Sequence, residues 1–434
     1  MALGITQNGV VHRQDDGTVT ILRPGRNGGL GTEIEVSQEL ADRYRLATGD
    51  VVAGATEPIG PDMPETARSD EVMEDEAGWD EQFDEPSAIR NVSVPNWLMT
   101  RQVPTERLTA ITRINGLTLE EAEERPSPRT RRSHSERTPP DRLLPLATGS
   151  NDVTGRMLDF AAPLGAGSMG VIQGPHASGL TRTLRAVLHG VVTNAPDCVP
   201  IVLLLRARGE EITDWRRRFP QADIVVCPSA LDGGSPEQTL RICDLALEAA
   251  QRQTELGRDV ALLVDSLTGL WGTMLEAEGA DAQAQADQSY ARQRIREWVQ
   301  RAGCFHGEMP LGGSLGGSLT IIGTAWHQAL DAEEEEEGEA HPHLRLLEHL
   351  LPEASWRIVL SATLARLRLY PAIDVKQCLS RDEERLLPAE ALDRLLTARG
   401  LLPRRDPLAC YQTLMNAIET TEDRNTLLQA LTAA

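Results

Sequence analysis

Aromatic side chains are scarce: Phe, Trp and Tyr make up 3% of the 434 residues, which leaves few platforms on which unpaired bases stack. The six cysteines, Cys198, Cys227, Cys243, Cys304, Cys378 and Cys410, are dispersed without a C-x-x-C pair. That spacing argues against a zinc ribbon or a disulfide framework and fits a reducing compartment. The start carries no charged-then-apolar leader, and no apolar run reaches bilayer-spanning length. The expectation is a soluble, cytoplasmic chain with no membrane partner. Positive charge is in deficit as well: 43 Lys+Arg stand against 65 Asp+Glu, a formal net charge of -22. Nucleic-acid binding draws most of its affinity from cations on phosphates, so a general nucleic-acid binder is disfavoured. What is present is 40% hydrophobic residues over a long chain, enough to bury one large core and a smaller one.

Up to Glu57 the chain reads as short strands and turns, "GVVHRQDDGTVTILRP" and then "GGLGTEIEVSQELADRYRLATGDVVAGATEP". Asp15-Asp16-Gly17 between β-branched runs signals a hairpin, and residues 1–57 are expected to form a small β-barrel. From Glu57 to Arg90 twelve acids face two arginines, a composition that cannot repay the entropy of ordering. The tract "RPSPRTRRSHSERTPPDR", Arg125 to Arg142, is basic and rich in Pro and Ser. It reads as a linker, either solvated or touching RNA or the acidic tract. Residues 58–143 are accordingly expected to be disordered. Between residues 144 and 390, apolar runs such as "CVPIVLLLRAR", "ADIVVCPSA", "DVALLVDS" and "GGSLTIIGTA" alternate with helical spacing. Continuous apolar strands alternating with helices predict an α/β fold whose parallel sheet is covered on both faces. Residues 391–434 are read as C-terminal helices.

The stretch "GVIQGPHASGLT", Gly170 to Thr181, has the spacing of a phosphate-binding loop: Gly174, four residues, Gly179, then Thr181. Such loops carry a lysine before the Thr, where this chain has Leu180. "DVALLVDS" ends an apolar run in Asp265, the form of a segment whose carboxylate holds the water shell of Mg²⁺ beside a phosphate loop. Gly174, Ser178, Gly179, Leu180, Thr181 and Arg182 are the candidate nucleotide-binding residues. Thr181 and Asp265 are the candidate Mg²⁺ residues.

In this order, the two motifs resemble a RecA-type NTPase core. The segments "VTGRMLDFAAPLGAGSMGVIQGP", "APDCVPIVLLL", "DVALLVDSLTGL", "GGSLTIIGTA" and "YPAID" resemble the transcription termination factor Rho family over about Val153 to Leu387. The N-terminal stretch, through "YRLATGDVVAG", looks like that family's cold-shock-type RNA-binding domain. The resemblance implies a ring of six subunits, ATP hydrolysed at subunit interfaces and RNA drawn through the centre.

Set against that pattern, Ala177 and Leu180 occupy the positions of the two loop lysines. Arg206 and Ala207 stand where an acidic pair supplies the glutamate that polarises water. Gly269 matches a phosphate-contacting arginine, Ala362 the interface arginine finger, and the neighbourhood of Leu350 the aromatic that stacks on adenine. Thr181, Asp265 and Ser266 remain. An arginine finger alone is worth about 10³ to 10⁵ in rate, so the residues at Leu180, Ala207 and Ala362 imply little catalysis. Arg182 compensates poorly, because two helical positions turn it roughly 200° from Leu180. A helix N-terminus still favours anions, which leaves weak ATP or phosphate binding open.

RNA handling looks reduced too. "GTVTIL", Gly17 to Leu22, stands where the resemblance implies a base-stacking aromatic strand, and "LEAEGADAQAQADQ" brings no lysine to the channel. The acidic run Glu333 to Glu337, within the loop 331–339, would repel a phosphodiester chain. His341 and His343 beside it lack further metal-ligand spacing. Three readings stay open: a catalytically degenerate Rho-like termination factor kept for assembly or regulation, an active ATP-dependent RNA translocase, or a structural ring or adaptor unrelated to transcription. The partners that follow are a homo-oligomer or co-assembly with an active Rho, RNA polymerase, and RNA weakly or not at all.

Overall fold

The computed structural model describes residues 4–14, 16–25, 31–59, 104–125, 136–228, 234–278, 289–308, 314–327, 342–403 and 406–433. Near the N-terminus, strands β1 (Val10–Arg13) and β2 (Val19–Arg23) form an antiparallel hairpin. The Asp16 carboxylate accepts the Thr18 N–H at 2.8 Å, and Gly17 takes a positive φ of 88°, a conformation an L side chain resists. Strand β3 (Thr32–Glu35) pairs with β2, and β4 (Val52–Pro58) joins a five-stranded mixed sheet of order β1-β2-β3-β5-β4.

Strand β5, Glu106–Ile114, corrects the expectation that residues 58–143 are one linker. It pairs parallel with β3 and antiparallel with β4, buries Leu108, Ile111 and Ile114, and is followed by the capped helix Leu119–Glu123. Arg125 belongs to this unit rather than to a solvated tract. Its guanidinium forks onto Asp50 at 3.0 and 2.8 Å and donates to the Tyr44 and Arg45 carbonyls. Both side chains are almost fully buried, at 7% and 1% exposure. Asn115 and the Ala47 N–H supply further donors to the same carboxylate, which is what a buried charge needs to persist. The acidic tract and most of the basic tract, residues 60–103 and 126–135, lie outside the described residues. Short strand β6 (Glu136–Thr138) pairs with the core, and Arg142 bridges Asp259 at 2.5 Å.

The remaining eight strands join β6 in a nine-stranded sheet. They are β7 (Met169–Pro175), β8 (Val199–Leu204), β9 (Asp223–Val226), β10 (Asp259–Asp265), β11 (Gly303–Glu308), β12 (Ser314–His327), β13 (Trp356–Val359) and β14 (Leu379–Ser380). Their order is β14-β13-β7-β12-β10-β8-β9, with β11 and β6 off the β12 side. The strands β13, β7, β12, β10, β8 and β9 run parallel. All six residues of β8 are buried, as both faces are covered by helices. On one face, the helices Val153–Ala161, Leu180–Asn194 and Gly209–Arg218 seat Met157, Leu184, Leu188 and Trp215 against the sheet. On the other, Pro236–Glu255 and Leu267–Glu278 bring Leu240, Leu245 and Trp271.

The small sheet is seated on this core. The Gly4 and Ile5 N–H groups donate to Asp223 at 2.8 and 3.1 Å, and Arg252 and Arg258 donate to the Thr48 and Asn115 carbonyls at 3.0 and 3.1 Å. Gly49 lies so close to the backbone of Glu248 that a Cβ would sit 2.7 Å from it, and its φ is 94°. Three further helices, Ala389–Leu401, Pro407–Glu419 and Arg424–Ala433, close the chain. Arg156 fastens them by donating to the Ile418 and Thr421 carbonyls at 2.8 and 2.6 Å. Among the described residues no helix is long and apolar enough to cross a membrane.

Candidate nucleotide site

Strand β7 ends in Gly174 and Pro175, and the helix Leu180–Asn194 begins five residues later. The loop between them is held from within. The Ser178 hydroxyl donates to the Pro175 carbonyl at 2.7 Å, and Ser178 is almost fully buried. Gly179 caps the helix at φ 97°, and Ala177 is also held at positive φ, 60°. A non-glycine residue there is strained unless its surroundings fix it. The fixing contact is Tyr370, whose hydroxyl donates to the Ala177 carbonyl at 3.0 Å. Gly174 has no room for a side chain, since a Cβ would stand 2.8 Å from Leu360 Cβ and from Ser178 Oγ. The helix beneath offers N–H groups with no acid in its first turn, an anion-binding end.

Asp265 closes the other side. It ends β10, and β12 lies between β10 and β7, so the two motif strands are not immediate neighbours. The intervening strand supplies Thr324, whose hydroxyl donates to Asp265 at 2.7 Å. The Thr181 side chain lies near enough to the same carboxylate to favour its charged form, so the structure brings the two sequence-predicted residues to one site. Burial pushes the Asp265 carboxyl upward, the two hydroxyls oppose that, and nearby Glu211 adds to the rise while Arg185 opposes it.

The other expected positions separate. Leu180 is half-buried and packs on the apolar core, as does Ala207. Arg206, at φ 57°, turns to pair with Glu276 on the helix Leu267–Glu278. Gly269 donates its N–H to Ser266 Oγ at 2.9 Å. Ala362 opens the short helix Ala362–Arg366 beyond β13, which pairs with β7 of this same chain. Leu350 is corrected: it is 0% exposed in the core cluster that includes Trp271, so no base can stack on it. The aromatic side chain at the loop is Tyr370, with the Arg182 guanidinium 5.8 Å from its ring centroid. Arg182 therefore leans across Tyr370, outside the loop. The signal that finds Tyr370 is the "YPAID" segment itself, where a tyrosine precedes a proline. The acidic loop 331–339 and the stretch 279–288 lie outside the described residues, as does the side chain of His343 with the whole of His341.

A glycine-bearing strand-to-helix turn with a Thr side chain and a buried carboxylate beside it has the form of a P-loop nucleotide-binding fold. The ATP synthase alpha/beta family, nucleotide-binding domain, matches residues 155–380, just over half of the chain, and the chain belongs to that family. Within it, the similarity runs to transcription termination factor Rho. The Rho proteins of Bacillus subtilis and Akkermansia muciniphila are each 31% identical, over 60% and 67% of this chain and 56% and 57% of their own length. That of Pseudomonas aeruginosa is 25% identical over 82% of both chains. The chain thus spans little more than half of the first two relatives. Among solved structures, an ATPase of the type III secretion system of pathogenic bacteria shares the fold, with TM-score 0.51, 17% identity, and 68% of this chain and 87% of its own covered.

Proposed function

We propose that this chain is a Rho-like termination factor homologue that binds ATP or its phosphates weakly and hydrolyses them little, keeping the fold for assembly or regulation. The observation that carries the reading is the placing of Thr181 beside Asp265 at a strand-to-helix loop whose lysine position is Leu180. Composition does not explain that leucine. The chain has a single lysine, Lys376, yet it is rich in arginine, so simple lysine depletion would place Arg, not Leu, at 180. Phosphoryl transfer depends on cations meeting developing charge, and Leu180, Ala207 and Ala362 bring none.

The donor set fits a magnesium nucleotide. Thr181 would offer its hydroxyl to the ion and Asp265 would hold the ion's water shell, while the first N–H groups of the helix Leu180–Asn194, which have no intrahelical acceptor, would face the phosphates. When bound, the ion would neutralise phosphate charge. Among the described residues no cluster of three or more His, Cys, Asp or Glu can hold a metal, so the nucleotide's oxygens would complete the shell. Tyr370, with the Arg182 guanidinium over its ring, would offer an aromatic surface beside the loop to a nucleotide's base.

The N-terminal strands support a barrel reading: β1 returns to the approach of β4 through Val11 N–H to the Asp50 carbonyl at 2.8 Å and Gly49 N–H to the Val11 carbonyl at 2.9 Å. The barrel then takes in β5 as well as residues 1–57. The proposed state is a cytoplasmic homo-oligomer or a co-assembly with an active Rho that engages RNA polymerase. RNA binding is weak, since the -22 charge opposes it. Equilibrium titration with a fluorescent ADP tests the reading. The expected result is magnesium-dependent binding that Thr181→Val abolishes. Binding indifferent to Thr181 and to Asp265→Asn contradicts it.

A further inference from the structure

A strongly basic groove of roughly 720 Å³ lies beside the nucleotide site, on the outer face of the helix Leu180–Asn194. Arg182, Arg185 and His189 line it at helical spacing, Arg218 faces them from the end of the helix Gly209–Arg218, and Thr154 adds a hydroxyl. In a chain of net charge -22, such a cluster is a local reversal of sign. Asp214 holds the cations in place, accepting from Arg218 Nε at 2.7 Å and lying 2.8 Å from Arg185 Nη1. The Arg185 guanidinium is also 5.0 Å from the Trp215 ring centroid, and its Nε–H has no hydrogen-bond partner.

We propose that this groove binds a phosphoanhydride chain, either free inorganic oligophosphate or the tail of a second nucleotide. Three features choose that chemistry. Arg182 and His189 are seven residues apart, about 10 Å along a helix, which is longer than one phosphoryl group. Two of the arginines already share the Asp214 carboxylate, so a ligand of single carboxylates gains little over it, whereas phosphoryl groups bring more charge and more acceptor oxygens. The ring at the groove floor, Phe219, is 4% exposed and Trp215 is 0% exposed, which leaves no face for stacking the bases of a single-stranded RNA. The groove shares only Arg182 with the nucleotide site, and the variants below leave Arg182 in place, so its failure and that of the nucleotide reading are distinguishable.

The test is calorimetric titration of the full chain with inorganic tripolyphosphate at low salt, with a uridine oligonucleotide and an oligoglutamate peptide as comparison ligands. In the Thr181→Val protein, where the phosphate loop is disabled, tripolyphosphate is still expected to bind, and about tenfold or more weaker when Arg218→Gln and His189→Gln are added. Both replaced side chains are exposed or rim residues, and far-UV circular dichroism checks that the variant folds. In the Thr181→Val protein, competition by ATP for tripolyphosphate identifies a nucleotide tail, and its absence identifies the inorganic chain; each outcome supports the site. Three results overturn the proposal: no tripolyphosphate binding, binding lost with Thr181→Val but kept in the groove variant, or tighter binding of the oligonucleotide or peptide that the groove variant abolishes.

Discussion

The hydroxyl of Tyr370 donates to the carbonyl of Ala177 at 3.0 Å, tying the phosphate loop to a segment 193 residues further along the chain. That bond holds a non-glycine residue at φ 60°, and the same ring meets Arg182. Loop shape and the position of Arg182 are thus coupled through one side chain.

Tyr370→Phe removes only the hydrogen bond and Tyr370→Ala the ring as well. Nucleotide affinity is expected to fall a few-fold for the first and about tenfold for the second, the scale of one lost hydrogen bond and one lost stacking contact. Titration with fluorescent ADP, beside thermal melts showing an intact fold, checks the order.

Leu180→Lys returns a cation to the loop. Binding is expected to strengthen by about tenfold, on the scale of one charge-assisted contact, while turnover stays near background because Ala207 and Ala362 are unchanged. A single substitution that restores both would mean that catalytic groups elsewhere are in place.

Arg125→Gln leaves Asp50 buried without its cation. The expected cost is about 3–5 kcal/mol, read from urea denaturation, and it should unfold the N-terminal sheet before the core. A loss below about 1 kcal/mol would place Arg125 in solvent.

Asp159 accepts the Leu146 and Ala147 N–H groups at 2.9 Å each, and burial pushes its carboxyl from 3.8 up to about 6. The folded state therefore holds this proton where the unfolded chain has released it. Stability from this group is greatest at low pH and is lost as pH rises from about 4 through 6. Asp159→Asn is expected to flatten that slope in paired melts across pH 4 to 7; an unchanged slope counts against the shifted group.

The parallel core was legible because its strands are continuous apolar runs, and the loop because glycine spacing and a terminal Asp are local signals. Strand β5 was not: "ERLTAITRI" follows a strongly acidic stretch, and its partners β3 and β4 lie about 50 to 70 residues earlier. Its β-branched Thr109, Ile111, Thr112 and Ile114, ended by Asn115-Gly116, were the available signal, while bulges in the pairing with β4 put the buried Leu108, Ile111 and Ile114 at every third residue instead of alternating. Arg125 looked like one more linker charge because its partner, Asp50, is 75 residues away. Leu350, near which the resemblance put the missing base-stacking aromatic, faces the core, a long-range packing outcome that a motif offset does not encode.

The most direct test of the central claim is ATP turnover by the purified full chain, with and without RNA, measured at nucleotide concentrations where binding has been established. The account predicts saturable, Thr181-dependent binding with turnover far below 1 s⁻¹ whether or not RNA is present. RNA-stimulated hydrolysis on the order of 1 s⁻¹, within the range of competent enzymes, would contradict it.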